Sequence, residues 1–518
     1  MVKVLARIHR PGPPWFLLLP ALLVLFLSLV PLGYVIFRTL ELPAHEIQQL
    51  LLRPRTMELV KTTLALMVAV TGLSLLIGVA SAWVVERTDL PRKDLWRGLL
   101  PLPFVVPSFV SSYSWLSLFP GVEQFWGAVL ILTLYSYPLI FLPASASLRQ
   151  MDPALEEVAR SLGLGPREVF RRVTLPHLRP AMLGGALLVA LHMLAEFGAL
   201  SLLRVDTLTT AIFLQYELAF NNSAAALYTA LLLLICLGVL LLERLFRGTA
   251  LYFPVGPGAR RDLMTLPLGK ARGGVGLALS LLLIAGVGLP VVTVIYWLLK
   301  GASAGRGLQA ALPAAFTSLG LAAVGATLAV AVALPVVILA RRYGSPLALW
   351  AEKLAFGLRA VPGLVIALAL VFAAIRWAYP LYQTLPLLWA GYLLLFLPLA
   401  LAPIGAALEQ APPRLEEAAR TLGKGPGQAF WAVTAPLLVS GLGAGWILVF
   451  LGILAELTLT LVLVPTGYST LAMEIWSHTS RAEYAAAAPF ALLLLLLAAV
   501  PAAWVMRQRA AGQKVWWA

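Results

Sequence analysis

Two acidic side chains stand inside long apolar runs of the sequence, where a charge is costly and is usually kept for a function. Glu196 and Glu456 lie near the ends of such runs, and His192 precedes Glu196 by four residues, or one helical turn. Carboxylate oxygen is a preferred ligand of hard divalent and trivalent cations, and it also attracts organic cations. The sequence therefore makes Glu196 and Glu456 candidate metal-pathway residues, with His192 as a secondary candidate.

A simpler interpretation of these side chains stays open. Both carboxylates could only accept hydrogen bonds from nearby Ser, Thr or backbone groups, and a lone histidine is more often packed than a ligand. The one cysteine, Cys236, lies inside an apolar run, which excludes an intramolecular disulfide and a cysteine metal cluster. The chain has no G-x-x-x-x-G-K-[ST] phosphate loop, so we expect no ATP hydrolysis by this polypeptide and no bound cofactor.

Apolar runs of about twenty residues must position these groups. Of the 518 residues, 61% are hydrophobic and 12% are charged, which excludes a water-soluble globule. The runs lack the alternation of a membrane barrel, so we predict an all-α polytopic membrane protein with about twelve transmembrane helices. The expected spans lie near residues 15–37, 59–84, 99–119, 125–147, 181–203, 224–242, 274–299, 314–340, 354–375, 383–407, 437–463 and 485–506.

The distribution of basic residues predicts the orientation of these spans. With the N-terminus inside the cell, the inner segments hold 29 of the 38 Lys and Arg residues. Their net charge is +16 against +1 outside, so the overall +15 reports topology and requires no nucleic acid partner. The first apolar run is too long for a signal peptide, so we interpret it as a retained span. Both termini are therefore expected in the cytoplasm.

The chain contains an internal repeat that shared hydrophobicity does not explain, because most of the matched residues are not apolar. Residues 148–176 align without gaps to residues 408–436, at an offset of 260. The identical pairs include Glu156/Glu416, Glu157/Glu417, Ala159/Ala419, Arg160/Arg420, Gly163/Gly423, Thr174/Thr434 and Pro176/Pro436. The offset continues to Glu196/Glu456, and upstream Arg87/Arg342 and Pro107/Pro362 pair at an offset of 255.

The repeat predicts two homologous halves of six spans each. They cover residues 1–246 and 274–518, and a cytoplasmic linker rich in Gly, Pro and Arg joins them at residues 247–273. Because six is an even number, both halves have the same orientation in the membrane.

The repeated loops lie after the fourth span of each half, at residues 150–176 and 410–436. In the first, Asp152 can cap a helix that begins at Pro153, and Gly163 can end it. The second copy has Pro412 in place of the capping Asp. Such an amphipathic helix could lie on lipid headgroups, plug its own bundle or dock into another protein, and its adjacent Glu pair argues against lipid.

Both loops resemble the EAA motif of permease subunits in binding-protein-dependent ABC importers. That motif reads Glu-Ala-Ala, three residues, Gly, nine residues, Ile, one residue and Leu-Pro. The first half matches at Glu157, Ala159, Gly163, Val173, Leu175 and Pro176, and departs at Val158. The second half matches at Glu417, Ala418, Ala419, Gly423, Val433 and Pro436, and departs at Ala435. The resemblance covers the whole chain as two fused permease halves.

The resemblance implies a type I permease fold in a bacterial inner membrane, with two separate ATPase subunits docked on the loops. It also implies a separate extracytoplasmic binding protein that delivers the substrate. The implied ATPase-coupling residues are Glu156, Glu157, Ala159, Gly163, Glu416, Glu417, Ala419 and Gly423. The alternative is that the Ala and Gly residues serve only in packing and in turns and do not contact a partner.

Further segments look like the fused permeases of ferric-iron importers. These are residues 135–138, 195–198, 207–210, 242–248, 456–460 and 469–472. Thiamine importers use a similar fused permease, so thiamine or another small solute is an alternative substrate. A secondary transporter of the major facilitator type also has twelve spans in two halves, but it is not expected to carry matched EAA loops. No recurring nucleophile and base supports a membrane enzyme.

Overall fold

The residues that the computed structural model describes are 14–41, 43–217, 221–247, 265–302 and 308–510. In these ranges the chain forms helices and no β-strand, and one isolated parallel bridge pairs Thr88 with Leu266. The all-α fold class is therefore confirmed. The basic N-terminal segment, residues 248–264 of the expected linker and the last eight residues lie outside the described part of the chain.

Thirteen α-helices lie in the described residues before the linker. They are α1 (Trp15–Glu41), α2 (Ala44–Leu51), α3 (Pro54–Arg87), α4 (Lys93–Leu99), α5 (Ser108–Leu118), α6 (Phe125–Ser136), α7 (Pro138–Gln150), α8 (Pro153–Ser161), α9 (Pro166–Val169), α10 (Leu175–Ala195), α11 (Gly198–Leu202), α12 (Leu208–Glu217) and α13 (Asn222–Arg247).

Twelve more α-helices follow in the described residues after the linker. They are α14 (Arg272–Leu283), α15 (Leu289–Ala302), α16 (Leu312–Tyr343), α17 (Pro346–Leu358), α18 (Gly363–Trp377), α19 (Leu385–Glu409), α20 (Pro413–Thr421), α21 (Pro426–Ala429), α22 (Ala435–Leu454), α23 (Thr458–Leu463), α24 (Leu471–Ser480) and α25 (Tyr484–Ala510). Single π-helical turns at Phe170–Thr174, Ile284–Gly288 and Phe430–Thr434 continue into α10, α15 and α22.

The described helices include nine that are long and apolar enough to cross a membrane. Two bent helix pairs and the shorter apolar helix Tyr484–Val500 occupy the remaining positions of the twelve expected spans. The bent pairs correspond to the expected spans 99–119 and 354–375, which are not straight but turn by 84° and 117°. Each bend lies at a proline, Pro107 or Pro362, whose ring and missing N–H interrupt the helix.

Two other expected spans also end early. The run 181–203 is divided after Ala195 into α10 and α11, and the run 437–463 is divided after Leu454 into α22 and α23. Both breaks occur at the acidic residue, Glu196 or Glu456. There the carboxylate accepts a hydrogen bond from a backbone N–H of the next short helix. The apolar runs alone did not indicate these breaks.

The described chain divides into two compact units. One contains residues 14–41, 311–474 and 503–510, and the other contains the described residues of 43–310 with 475–502. In the first unit α1 packs against α16, α17 and α18, and in the second α15 packs against α5. The first span of each sequence half is thus grouped with later spans of the other half. The two-half division of the sequence remains a prediction about the repeat.

Equivalent helices form the centre of each unit. In one unit α3, α7 and α10 pack against one another, and in the other α16, α19 and α22 do the same. Glycines allow close approach between some of these helices: a Cβ at Gly185 would lie 3.0 Å from the Ile140 backbone, and one at Gly441 would lie 2.7 Å from the Pro403 carbonyl oxygen. The loop helices α8 and α20 extend from the ends of these two bundles.

Candidate functional site

The two repeated loops form short helices with the same ending. In the first loop the Asp152 carboxylate accepts a hydrogen bond of 3.0 Å from the Ala154 N–H, which confirms the expected cap. Gly163 and Gly423 have φ values of +86° and +87°, a left-handed conformation that favours glycine. The second helix, α20, has no side-chain cap at Pro412. The sequence therefore anticipated both the similar ends and the different beginnings of these helices.

The apolar side chains of the loop helices point outward. Leu155 and Val158 are exposed, and Leu162 and its repeat mate Leu422 are 76% and 84% exposed. Among the expected coupling residues, the exposed ones are Glu157, Gly163, Glu417 and Gly423. Ala159 and Ala419 are buried against the rest of the protein, so they do not share the outward face with the leucines. The outward face of α8 is mainly apolar beside Glu157, and that of α20 carries Leu415 and Leu422 beside Glu417 and the exposed Arg414 and Arg420.

The first glutamate of each pair is turned inward and anchors its loop. Glu156 is buried, and its Oε1 accepts a hydrogen bond of 2.9 Å from the Thr174 hydroxyl. The Arg87 guanidinium, at the end of α3, lies 3.4 Å from the same oxygen and is itself buried. We call this Arg–Glu–Thr arrangement the loop anchor. It joins α3, the loop helix and the start of α10.

The second half repeats the loop anchor with the same residue types. Thr434 donates a hydrogen bond to Glu416, and Arg342 Nη2 lies 3.3 Å from Glu416 Oε1. Arg342 also donates a hydrogen bond of 2.7 Å to the Ala411 carbonyl oxygen. Both threonines end a π-helical turn, whose extra residue shifts the side-chain register before α10 and α22. The matched arginines and threonines were visible in the repeat, but their contact with the glutamates was not.

The buried carboxylates of the spans bind the backbone after each helix break. Glu196 Oε1 accepts a hydrogen bond of 2.9 Å from the Ala199 N–H, and Glu456 Oε1 accepts one of 2.8 Å from the Leu459 N–H. These bonds stabilise the first turns of α11 and α23, where backbone N–H groups lack helical partners. The simpler interpretation, in which each carboxylate only accepts hydrogen bonds from nearby groups, is thus supported in part at both positions.

The surroundings of the two carboxylates differ. Glu196 Oε2 accepts a hydrogen bond of 2.9 Å from the Ser108 hydroxyl and lies 3.5 Å from His192 Nε2. The His192 ring stacks on Tyr135 at a centroid distance of 5.2 Å. His192 therefore lies beside Glu196, as their spacing of one helical turn indicated, and Ser108 and Tyr135 are additional polar neighbours that were not expected from the sequence.

The three polar side chains around Glu196 are replaced by small or apolar residues in the second half, although Thr460 and Tyr392 form a polar pair close to Glu456. The positions of Ser108, Tyr135 and His192 correspond to Gly363, Leu395 and Gly452. A Cβ at Gly363 would lie 3.4 Å from Glu456 Oε1, and one at Gly452 would meet the Phe396 ring at 2.8 Å. Within the described residues, no group of three or more His, Cys, Asp or Glu side chains is placed to hold a metal ion. A cation at Glu196 would thus meet a polar but incomplete ligand set.

A comparison with known families matches most of the chain. The profile of the family described as "binding-protein-dependent transport system inner membrane component" matches residues 12–247 and 334–508. These two matched stretches contain the two repeated loops.

Individual relatives match either nearly the whole chain or less than half of it. The chain is 41% identical to the Fe(3+)-transport system permease protein FbpB 2 of Haemophilus influenzae over 493 residues, which is 94% of this chain and 97% of that protein. It is 28% identical over 255 residues to the sulfate transport system permease protein CysW of Escherichia coli, and 31% identical over 240 residues to a probable molybdenum ABC transporter permease protein of Haloferax volcanii. In each of these two cases less than half of the chain covers 87% of the relative.

Proposed function

Since the chain belongs to the family of inner membrane components of binding-protein-dependent transport systems, we propose that it imports ferric iron. It is a multi-pass permease subunit of an ABC importer. Support for ferric iron comes from the relative that matches nearly the whole chain and is named for Fe(3+) transport. A carboxylate at a helix break within a span adds a chemical reason, because oxygen ligands suit a hard trivalent cation.

The substrate is tested by reconstituting the permease with its ATPase and binding protein in proteoliposomes. Labelled ferric iron, thiamine, sulfate and molybdate are offered in turn to the matching binding protein. We expect ATP-dependent accumulation of iron alone. Uptake of thiamine or of an oxyanion instead would replace iron as the substrate while leaving the ABC importer assignment unchanged.

The repeated loops serve as the docking sites of two separate ATPase subunits. The observation that carries this proposal is that both loops are anchored by the same Arg–Glu–Thr contacts and present an exposed apolar face. An apolar helix face rimmed by polar residues fits a groove on a protein partner. Glu157, Gly163, Glu417 and Gly423 are the residues proposed to meet the ATPase, whereas Glu156 and Glu416 act as positioning residues with Ala159 and Ala419 packed beside them.

The orientation follows from the charge distribution. The loops and both termini face the cytoplasm, where the ATPase finds ATP, and the short outer segments face the binding protein. ATP hydrolysis is assigned to the partner because no phosphate loop motif occurs in this sequence. ATPase closure would then move the loops and, through the anchors, α3 and α16.

Co-purification tests the docking sites. Leu162→Asp and Leu422→Asp each place a charge in an apolar contact, where a hot-spot loss of about 2 kcal/mol or more is expected. That loss corresponds to roughly thirtyfold weaker ATPase retention. Arg92→Ala, an exposed change outside the loops, is the matched control and should retain the ATPase. Normal retention in both leucine variants would contradict docking at the loops.

The rival class is separated by omitting the ATPase. A secondary transporter of the major facilitator type would accumulate substrate with an ion gradient alone. We expect no accumulation without the ATPase and ATP, and gradient-driven uptake by the permease alone would favour the rival.

A further inference from the structure

Two sets of charged side chains occupy equivalent places in the two halves with opposite signs. In the first half Glu86, at the end of α3, is paired with Arg97 of α4 and faces Arg149 of α7. In the second half Arg341, at the end of α16, is paired with Glu352 of α17 and Glu409 of α19. The repeat offsets of 255 and 260 relate these residues as Glu86/Arg341, Arg97/Glu352 and Arg149/Glu409. All three positions are reversed in charge.

The first-half set surrounds a fully buried carboxylate. The Glu86 side chain is 0% exposed, and Arg97 Nη2 lies 2.5 Å from its Oε2. The Ser145 hydroxyl of α7 donates a hydrogen bond of 2.6 Å to Oε1, and Arg149 Nε lies 4.0 Å away. A buried carboxylate that lost these donors would be strongly destabilised. Glu86 was not among the expected site residues, because the expected second span ends at residue 84.

In the second-half set the central group is the guanidinium of Arg341, and a glycine beside it leaves room for this larger side chain. Arg341 Nη1 lies 3.3 Å from Glu352 Oε2, and its Nε lies 3.4 Å from Glu409 Oε1. The position of Ser145 is taken by Gly405, and a Cβ there would lie 4.0 Å from Arg341 Nη2. Four equivalent positions therefore differ together: the central charge, its two partners and the small residue beside it.

Within each half, only part of the set is local in the chain. A turn of five residues joins α3 to α4, so the contact between Glu86 and Arg97 joins two helices that are neighbours in the chain. The contacts to Ser145 and Arg149 instead depend on α3 packing beside α7, as those to Gly405 and Glu409 depend on α16 packing beside α19. Only these long-range contacts can therefore distinguish the native neighbouring helix from the equivalent helix of the other half.

Discrimination is needed because the two halves are similar apolar chains. In lipid no hydrophobic force favours one apolar neighbour over another. The compact units already group the first span of each half with later spans of the other half, so packing between halves is compatible with this fold. If α3 packed beside α19, Glu86 would face Glu409 without a serine donor. If α16 packed beside α7, Arg341 would face Arg149.

We propose that the charge-reversed sets sort the second and fourth spans during assembly, so that α3 pairs with α7 and α16 pairs with α19. Opposite charges stabilise the native pairs, and like charges oppose the exchanged pairs. The same helix ends carry Arg87 and Arg342, so sorting also ties each loop anchor to the helices of its own half. The proposal does not depend on the substrate or on the ATPase.

The test exchanges the sets in the full-length chain. The half-exchanged variant carries Glu86→Arg, Arg97→Glu, Ser145→Gly and Arg149→Glu, which keeps the charges within the set complementary but makes the two sets alike. Asp94, which pairs with Arg97 in the native protein, meets a like charge in both exchanged variants and so does not distinguish them. The fully exchanged variant adds Arg341→Glu, Glu352→Arg, Gly405→Ser and Glu409→Arg, which makes the halves differ again. A purely local role predicts that the half-exchanged variant behaves normally. Sorting predicts that it fails and that four further changes repair it.

A disulfide reports where the end of α3 lies. Thr88 and Leu266 are bridge partners in the native structure, so cysteines at these positions are close enough to pair. Cys236→Ala removes the only natural cysteine. The cross-link yield and the fraction of protein that elutes as one species in detergent are measured together, and neither requires transport activity.

We expect the half-exchanged variant to lose up to about half of the cross-link, because its charges no longer favour the native pairing over the exchanged one. The fully exchanged variant should return to the yield of the parent. Arg92→Glu is the matched control, because it lowers the net charge of the same end by the same two units, and it should leave the yield unchanged. Sorting is overturned if the half-exchanged variant is normal, if full exchange gives no recovery, or if Arg92→Glu reproduces the loss.

Discussion

The two loop anchors are nearly the same, whereas the two span breaks are not. At the loops Arg87, Glu156 and Thr174 recur as Arg342, Glu416 and Thr434, with contacts of the same kind. A duplicated surface that keeps its supporting contacts is expected to meet the same kind of partner twice. This similarity supports the proposal that the two loops are docking sites for similar ATPase subunits.

At the span breaks only the carboxylate and its backbone bond recur. Glu196 has Ser108 and His192 beside it, but Glu456 has glycines at the corresponding positions. A backbone cap requires only the carboxylate, so the additional polar groups of the first half need another reason. We therefore propose Glu196 as the stronger candidate for contact with a cation in transit and Glu456, which keeps the backbone bond, as the weaker one.

The largest expected effect comes from breaking a loop anchor. Glu156→Ala leaves Arg87 buried without its carboxylate, a change that costs about 3–5 kcal/mol in buried pairs. Glu416→Ala should cost less, because Arg342 is less buried and keeps its bond to the Ala411 carbonyl oxygen. Limited proteolysis of the loops and coupled transport measure both effects.

Glu157→Ala is the control for this prediction, because that side chain is exposed and belongs to no anchor. It should leave loop protection unchanged even where it weakens the ATPase contact. Equal protection of the loop in the Glu156→Ala and Glu157→Ala variants would show that the anchor does not hold the loop.

A second prediction separates the two span breaks. Glu196→Gln keeps an acceptor for the Ala199 N–H but removes the charge, so we expect iron uptake to fall about tenfold, or about 1.4 kcal/mol in barrier. Glu456→Gln should reduce uptake less. Initial uptake rates of the two variants are measured in proteoliposomes. Normal uptake in both variants would show that neither carboxylate takes part in the transport pathway.

The glycines that end the loop helices should respond equally in both halves. Gly163→Val and Gly423→Val each force a branched side chain into a left-handed conformation at a cost of roughly 1–2 kcal/mol. No atom of this chain lies within 4 Å of a Cβ at either glycine, so within the chain itself the effect is one of backbone strain. Asn tolerates this conformation and is the control at both positions. ATPase retention should fall for Val and persist for Asn, and equal retention would argue against strain.

The smallest effect concerns the beginnings of the loop helices. Asp152→Ala removes a helix cap worth about 1 kcal/mol, and Pro412→Asp should add a similar amount to the uncapped second helix. Hydrogen exchange of α8 and α20 measures both changes. Slower exchange in α20 after Pro412→Asp would make the two loops more alike, and unchanged exchange would show that surrounding contacts already fix its first turn.

Much of the fold and part of the site followed from local patterns. The apolar runs indicated the positions of the spans, and the loop sequence indicated the cap at Asp152 and the glycine at 163. The bends at Pro107 and Pro362 were not expected, although proline is the residue most able to interrupt a helix. The breaks at Glu196 and Glu456 were missed because hydropathy averages over about twenty residues and passes over one polar side chain.

The sequence alone determined the helical character of the chain, its repeat and the residue types that recur at the loops, since these depend on hydropathy, backbone preference and spacing. The tertiary structure decided which of these residues touch. It turned Glu156 inward while exposing Leu162, and it brought Ser108 to Glu196 and Arg149 to Glu86. Contacts between residues distant in the chain depend on how helices pack, and packing is a property of surfaces that no local pattern contains.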